Sequence, residues 1–261
     1  MKHWASILCF LAIVALSGCG GTSARRPQSQ LTNANLAGNW QFSTTPTAGS
    51  VLAMAGSIKQ SGAAISGSLH LDGSSCFDRQ TTISFTGTLT GKNISMTSMT
   101  VASQLITISG NVTDTALTGT YSITGGCADG DQGNISAAKI PPITSTLNGT
   151  FTATGQAPFE LTAQVNQDNA AANGTFAITG SVTVKTPCFT SGTLQSAAFP
   201  SGSYLLGTSV ALEIETNNGT LVFLGTMDPA SGEIDGTYTV SGGSCDEDGT
   251  AVLNMKGPWD Y

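Results

Sequence analysis

The chain has 261 residues and a formal net charge of −7 at pH 7, and only 10% of its residues are charged. Because charged residues average about 25% of a soluble protein, solubility here depends on hydroxyl and amide groups. Acidic residues concentrate in the second half and would repel a phosphate backbone, so the composition argues against binding to nucleic acid.

The first 19 residues have the pattern of an export signal. Lys2 is followed by the apolar run Ile7–Leu16, and this run ends in the small residues Ser17 and Gly18 before Cys19. The run is too short to cross a bilayer core of about 30 Å as a helix. The sequence therefore predicts a cleaved signal peptide over residues 1–18.

The segment Leu16–Cys19 resembles the lipobox of bacterial lipoproteins. That resemblance implies that Cys19 is diacylated and becomes the first residue of the mature chain. Gly20 after the cysteine implies release to the outer membrane. The alternative is an ordinary secretory signal with a chance cysteine.

Residues 19–35 lack apolar periodicity and contain Gly, Pro and polar residues, which predicts a flexible tether. The remainder is duplicated, because Leu117–Cys127 recurs as Ile234–Cys245. We place one repeat at 36–140, a Pro-containing linker at 141–146 and a second repeat at 147–261. The offset between matched positions grows from 111 at Trp40 and Phe151 to 118 at the last cysteines, and we expect the insertions to lie in loops.

Within each repeat the apolar residues alternate with polar ones, as in half-buried antiparallel strands. In the first repeat the strands are expected to start near 38, 51, 63, 81, 93, 105, 116 and 132. Short turns join them and glycines recur on the apolar face, where a curved sheet needs side chains to be absent. The fold predicted is all-β, with two tandem antiparallel up-and-down meander barrels of about eight strands each; two-sheet β-sandwiches are the alternative.

Gly38 and Trp40 on the first strand resemble the Gly-x-Trp opening of lipocalins, and Leu36–Trp40 with Leu117–Tyr121 resembles the strand motifs of avidin-like barrels. The resemblance implies a barrel that binds a ligand in its interior. The candidate ligand-facing residues are then Trp40, Tyr121, Phe151 and Tyr238. Because the inward face is almost wholly apolar, each barrel is either packed solid or holds an apolar ligand.

Export leaves four cysteines in a compartment that permits disulfides. In an eight-strand meander the third and seventh connections lie on the same rim, which allows Cys76 to pair with Cys127 and Cys188 with Cys245. Each disulfide is either a strap across the barrel mouth or a plain staple. Closing loops of about 50 residues contributes ~4 kcal/mol on the chain-entropy model.

The sequence offers little catalytic chemistry. His70 is the one histidine outside the signal peptide, and its place on a polar strand face predicts a solvated side chain. Glu213 with Glu215, and Glu233 with Asp235, lie on outward faces and are expected to be solvated pairs. No cofactor is expected, and the chain is predicted not to be an enzyme.

Acidic loops follow the last cysteine of each repeat, with Asp129 and Asp131 in the first and Asp246 and Asp248 in the second. Oxygen-rich turns of this kind are candidate calcium sites. Neither loop continues to the glutamate that an EF-hand requires, so hydrated hairpin tips are the alternative.

Together these observations predict a lipid-anchored protein of the bacterial cell envelope, at the outer membrane. It would be a non-enzymatic binding module for a small apolar ligand or a surface component. The alternative is a structural or adhesive surface lipoprotein whose filled barrels present Ser/Thr-rich faces to envelope glycans or proteins.

Overall fold

The computed structural model describes residues 33–78, 81–153, 157–184, 186, 188–197 and 199–256. The predicted signal peptide, Cys19 and the tether as far as residue 32 lie outside these ranges. Every regular element in the described ranges is a β-strand. They hold no helix with the length and apolar character needed to cross a membrane.

The first repeat forms a closed antiparallel barrel in which each strand pairs with the next and the last pairs with the first. Its strands start within about two residues of the positions predicted from the alternation of apolar residues. They are β1 Gly38–Pro46, β2 Ala53–Ser61, β3 Ala64–Asp72, β4 Thr82–Thr90, β5 Asn93–Ser98, β6 Leu105–Val112, β7 Ala116–Thr124 and β8 Gln132–Ile140.

The second repeat closes in the same way, through pairing of β9 with β17 and of β10 with β11. Its strands are β9 Ser145–Ala153, β10 Phe159–Gln167, β11 Phe176–Val184, β12 Ser191–Leu194, β13 Tyr204–Leu206, β14 Ser209–Thr216, β15 Gly219–Met227, β16 Ile234–Ser241 and β17 Glu247–Lys256. Both β12 and β13 lie between β11 and β14, so nine strands occupy eight positions. The predicted pair of eight-position meander barrels is confirmed.

Period-two alternation produces this architecture because it gives each strand one apolar face, and closure turns that face inward. The inward side chains form two packed clusters, one in each barrel. Pairs of glycines meet across strands, Gly110 with Gly119 and Gly225 with Gly236. A Cβ on Gly119 would lie 2.7 Å from the Gly110 Cα, so these backbones approach as closely as glycine alone permits.

The insertion that lengthens the second repeat interrupts a strand, which corrects the expectation that insertions lie in loops. Gln195 and Ser203 stay in the sheet between β12 and β13, because Ser203 N donates to Gln195 O and Gln195 N donates to Glu213 O. The residues between them loop out of the barrel wall. We call residues 196–202, described except for 198, the looped-out segment.

The two barrels pack directly against each other. Asn39 on β1 donates from Nδ2 to the Gly207 carbonyl at 2.8 Å, and its Oδ1 accepts from Gly207 N at 3.0 Å. Thr208 N donates to Gln41 Oε1 at 3.3 Å. Asn39 is 2% exposed, so this pair of hydrogen bonds is shielded from water. The tight turn between β13 and β14 thus docks on the outer face of the first barrel.

Candidate functional site: a cleft between the barrels

Both disulfides expected from the sequence are present, Cys76–Cys127 and Cys188–Cys245, across 51 and 57 residues. Phe77 beside the first is 8% exposed and Phe189 beside the second is 2% exposed, and each belongs to the core cluster of its own barrel. The residue after the first cysteine of each pair therefore fills the end of its barrel.

An amide side chain completes each closed rim. Gln104 Nε2 donates to the Cys76 carbonyl at 3.3 Å, and its Oε1 accepts from Ala128 N at 2.9 Å. At the matching connection of the second barrel, Asn218 Nδ2 donates to the Cys188 carbonyl at 3.0 Å and its Oδ1 accepts from Ser244 N at 3.0 Å. These contacts tie both sides of each disulfide loop together, so the cysteine-bearing rim is a closed end.

The four residues predicted to face a ligand inside the barrels are packed against protein. Trp40, Tyr121, Phe151 and Tyr238 are 0–3% exposed. The Trp40 indole donates to the Leu36 carbonyl at 2.7 Å, and Phe151 stacks on Phe159 with its ring centroid 5.1 Å away. These contacts favour filled interiors.

The two buried tyrosines are also paired within the protein. Tyr121 donates to Asp131 at 2.9 Å and Tyr238 donates to Glu247 at 3.2 Å. Burial, reinforced by the hydrogen bond to Asp131, raises the pKa of Tyr121 to about 12. Burial and the Glu247 carboxylate likewise raise the pKa of Tyr238. Both phenols are neutral hydrogen-bond donors.

The acidic loops do not gather ligands for a metal ion in the described part of the chain. Asp129 Oδ1 accepts from Gly125 N at 2.7 Å, and Asp131 accepts from Tyr121. In the described ranges no three His, Cys, Asp or Glu side chains converge as a metal site. The structure thus assigns Asp129 and Asp131 to loop and core contacts, and it does not join Asp246 and Asp248 into such a cluster.

A cleft of about 260 Å³ lies between the barrels, and we call it the inter-barrel cleft. One wall is the outer face of β1–β3, and the other comes from the looped-out segment, β13 and the start of β14. Protein interfaces of this kind are common positions for small-molecule sites. Its lining residues are Gln41, Ala53, Met54, Ala55, His70, Leu71, Asp72, Phe199, Tyr204, Leu206 and Ser209.

Small side chains leave room for the cleft. Gln41, Ala55 and His70 lie in one cross-strand row, because Ala55 pairs with Gln41 on β1 and with His70 on β3. Ala53 occupies the neighbouring row between Ser43 and Asp72. Two alanines between longer polar side chains make a depression in an otherwise continuous sheet face.

His70 is buried, which corrects the expectation of a solvated histidine. Its side chain is 7% exposed, and its ring lies 4.8 Å from the Phe199 ring centroid. Nε2 is 3.1 Å from the Thr82 hydroxyl, while Nδ1 has no hydrogen-bond partner among the described residues. Burial lowers the pKa of His70, so the ring is neutral at pH 7. It lines the cleft with one nitrogen available for a hydrogen bond.

The opposite wall is aromatic. Phe199 at the tip of the looped-out segment makes an edge contact with Tyr204, with ring centroids 5.0 Å apart. Burial raises the pKa of Tyr204, so its phenol is also neutral. An apolar body can pack against these rings while a polar group reaches His70 or Gln41.

A second depression of about 400 Å³ adjoins the cleft on the second barrel, and Tyr204 and Ser209 line both. Among the described lining residues, Asp72 is the one carboxylate in the cleft and Asp235 the one in the adjoining depression, and none is a Lys or an Arg. An anionic ligand would therefore meet no compensating charge.

Sequence reasoning missed this site because each half of it lies on a different repeat. Glu213, expected to be a solvated carboxylate beside Glu215, is instead half-buried and accepts a hydrogen bond from Gly202 N at 2.8 Å. The available signal was the growing offset between the repeats, which marks added residues between the first and last cysteines of the second repeat.

Comparison with known proteins gives one distant structural similarity. No protein-family model and no curated protein matches the chain. Among solved structures, the chain is similar to kievitone hydratase from Nectria haematococca, with 10% sequence identity over 86% of this chain and 90% of that one, and a TM-score of 0.24.

The similar structure is that of an enzyme, and the prediction that the present chain is not one is withdrawn. At this TM-score the similarity assigns no reaction to the present chain.

Proposed function

We propose that the chain is an exported, lipid-anchored envelope protein that binds a small, uncharged, partly apolar ligand in the inter-barrel cleft. The observation that carries the proposal is the convergence of His70, Phe199 and Tyr204 across the two barrels. The ligand would pack an apolar or aromatic body on the two rings. A hydrogen-bonding group on it would reach the free nitrogen of His70.

The packed interiors support a site between the barrels over one inside them. The inward side chains form two buried clusters, and the aromatic residues expected to face a ligand are bonded to or stacked on other groups of the protein. An occupant of either interior would have to displace these contacts, and the loss of such core packing costs several kcal/mol. A ligand in the inter-barrel cleft would require no such rearrangement of the core.

Binding is tested with a library of small neutral aromatic compounds, measured by calorimetry on the mature chain. Ala53→Phe fills the cleft from the β2 wall and should weaken every cleft ligand at least tenfold. Ala116→Phe, at an exposed position on β7 of the same barrel, is the matched control and should leave affinity unchanged. The proposal would be contradicted if both variants weakened ligand binding equally, or if neither variant weakened it.

Lipid anchoring is tested separately, because it concerns residues 1–32. Metabolic labelling with radioactive palmitate should mark the wild-type protein, and Cys19→Ser should abolish the label and move the protein from the membrane fraction to the soluble one. Unlabelled wild-type protein would show that the signal is an ordinary secretory one.

A further inference from the structure

A second groove, of about 530 Å³, lies on the outer face of the first barrel. It falls on β6, β7, β8 and the end of β1, whereas the second barrel docks on β1–β3. We call it the hydroxyl groove, because most of its side chains are Ser, Thr or amides. Its lining residues are Thr45, Pro46, Thr47, Thr107, Ser109, Thr120, Tyr121, Ser122, Gln132, Gly133 and Asn134.

The register arranges these polar side chains in two cross-strand rows. One row runs Thr107, Ser122 and Gln132, through the pairs Thr107–Ser122 and Ser122–Gln132. The other runs Ser109, Thr120, Asn134 and Thr45. Neighbouring strands lie about 4.8 Å apart, so donors and acceptors repeat at regular intervals across four strands.

Most of these side chains make no hydrogen bond within the protein. Ser109 and Thr120 share one long contact of 3.4 Å, and Thr47 Oγ1 donates to the Gln132 carbonyl at 2.6 Å. In the described part of the chain the remaining polar side chains of the two rows have no protein partner; they are Thr45, Thr107, Ser122, Gln132 and Asn134. Their hydrogen-bonding groups are available to a ligand.

The groove is also electrically neutral. Among the described residues that line it there is no Asp, Glu, Lys or Arg. Hydroxyls and amides both donate and accept, so they match a ligand that presents many hydroxyls. Neither a phosphate nor an ammonium group would find a counter-charge there.

We propose that the hydroxyl groove binds a segment of uncharged polysaccharide, a glycan chain lying across β6, β7 and β8. Its volume falls within the range of about 300–1,000 Å³ typical of ligand sites. The cross-strand rows supply hydrogen bonds at several successive points along a chain of sugars. This site is separate from the inter-barrel cleft and takes a different class of ligand.

The experiment is an NMR titration of the mature, isotope-labelled chain with three neutral probes: cellohexaose, maltohexaose and hexa-N-acetylchitohexaose. At least one should bind, with shifts confined to the backbone amides of Thr45 and Thr47 and of residues 107–109, 120–122 and 132–134. The double variant Thr120→Val with Ser122→Ala removes a central hydroxyl from each row and should weaken binding at least tenfold. The anionic hexamer of galacturonic acid should bind more weakly than the neutral probe.

The matched control is Thr88→Val with Ser95→Ala. These residues form a cross-strand pair of exposed hydroxyls on β4 and β5, outside the groove, and their removal should leave affinity unchanged. Failure of wild-type protein to bind any neutral probe would overturn the proposal. Undiminished binding by the groove variant, or equal binding of the anionic hexamer, would overturn it as well.

Discussion

One buried serine supplies hydrogen bonds at the point where the looped-out segment interrupts the strand. Ser203 is 0% exposed, its hydroxyl donates to the Glu213 carbonyl at 3.2 Å, and it accepts from Glu213 N at 2.9 Å. The side chain thus supplies the partner of Glu213 N and a second donor to the Glu213 carbonyl, which also accepts from Gln195 N at 2.8 Å. Buried backbone groups need such partners, so this serine makes the interruption tolerable.

Replacing Ser203 should therefore destabilise the protein more than an ordinary serine substitution. Ser203→Ala removes the acceptor of the buried Glu213 N–H, while the Glu213 carbonyl keeps its bond from Gln195 N, and we expect a loss of about 1–3 kcal/mol in the free energy of unfolding. Ser201→Ala, at an exposed position two residues away, should change stability by less than about 0.5 kcal/mol. Denaturant melts of the two variants make the comparison, and equal effects would contradict this role for Ser203.

His70 gives the molecule a defined pH dependence. Burial lowers its pKa below the ordinary value of 6.5, so the unfolded chain binds the proton at a higher pH than the folded one. The contribution of the neutral ring to stability is complete above pH 6.5 and is lost as the pH falls through the lower, folded value. The facing groups are Asp72 from β3, Tyr204 from β13 and neutral Gln41 from β1.

We expect the melting temperature of the wild type to fall more between pH 7.5 and pH 5 than that of His70→Gln. The difference between the two curves isolates His70 from the carboxylates that also titrate at the acidic end. A direct NMR titration of the His70 ring should give a pKa below 6.5. A value at or above 6.5 would refute the burial that the structure gives this ring.

At the scale of elements, an amide side chain bridges the backbone at the closed rim in the same way in both barrels. Gln104 and Asn218 occupy the matching connection of each barrel, and each joins the backbone at the first cysteine to the backbone beside the second. Gln104 is 0% exposed. The amide therefore holds the disulfide loop against the barrel end by bonds that do not depend on the sulfur atoms.

Gln104→Ala should cost about 1–3 kcal/mol, because the Cys76 carbonyl and Ala128 N each lose a partner. Asn111→Ala, an exposed amide on β6, serves as control and should be close to neutral. The Gln104 variant should also speed reduction of Cys76–Cys127 by dithiothreitol, measured by alkylation and mass spectrometry. Unchanged reduction kinetics would show that the amide does not hold the loop closed.

The strands themselves could be read from the sequence, whereas the surfaces they form could not. Alternation of Ile65, Leu69 and Leu71 with polar residues predicts β3 and its inward face because only local geometry is involved. Whether the polar face is exposed or buried depends on whether another element covers it. His70 is polar, outward from its own barrel and still buried, because the looped-out segment of the second repeat lies on it.

At the scale of the whole molecule, duplication followed by one strand interruption builds the candidate site. Each repeat alone gives a barrel with a closed rim, and the expected aromatic residues are packed in its buried cluster. The docking of the β13–β14 turn on Asn39 and Gln41 sets the two barrels side by side. The cleft that results uses the outer face of one barrel and the inserted residues of the other.

Two side chains report on the two places where a small ligand could bind, and one spectrum distinguishes them. The Trp40 indole N–H lies inside the first barrel, bonded to the Leu36 carbonyl, and the His70 ring lies in the inter-barrel cleft. On titration with a ligand identified by calorimetry, we predict that the His70 ring signals shift with saturation while the Trp40 indole signal stays in place. A shift of the Trp40 indole with His70 unchanged would place the ligand inside the barrel and contradict this account.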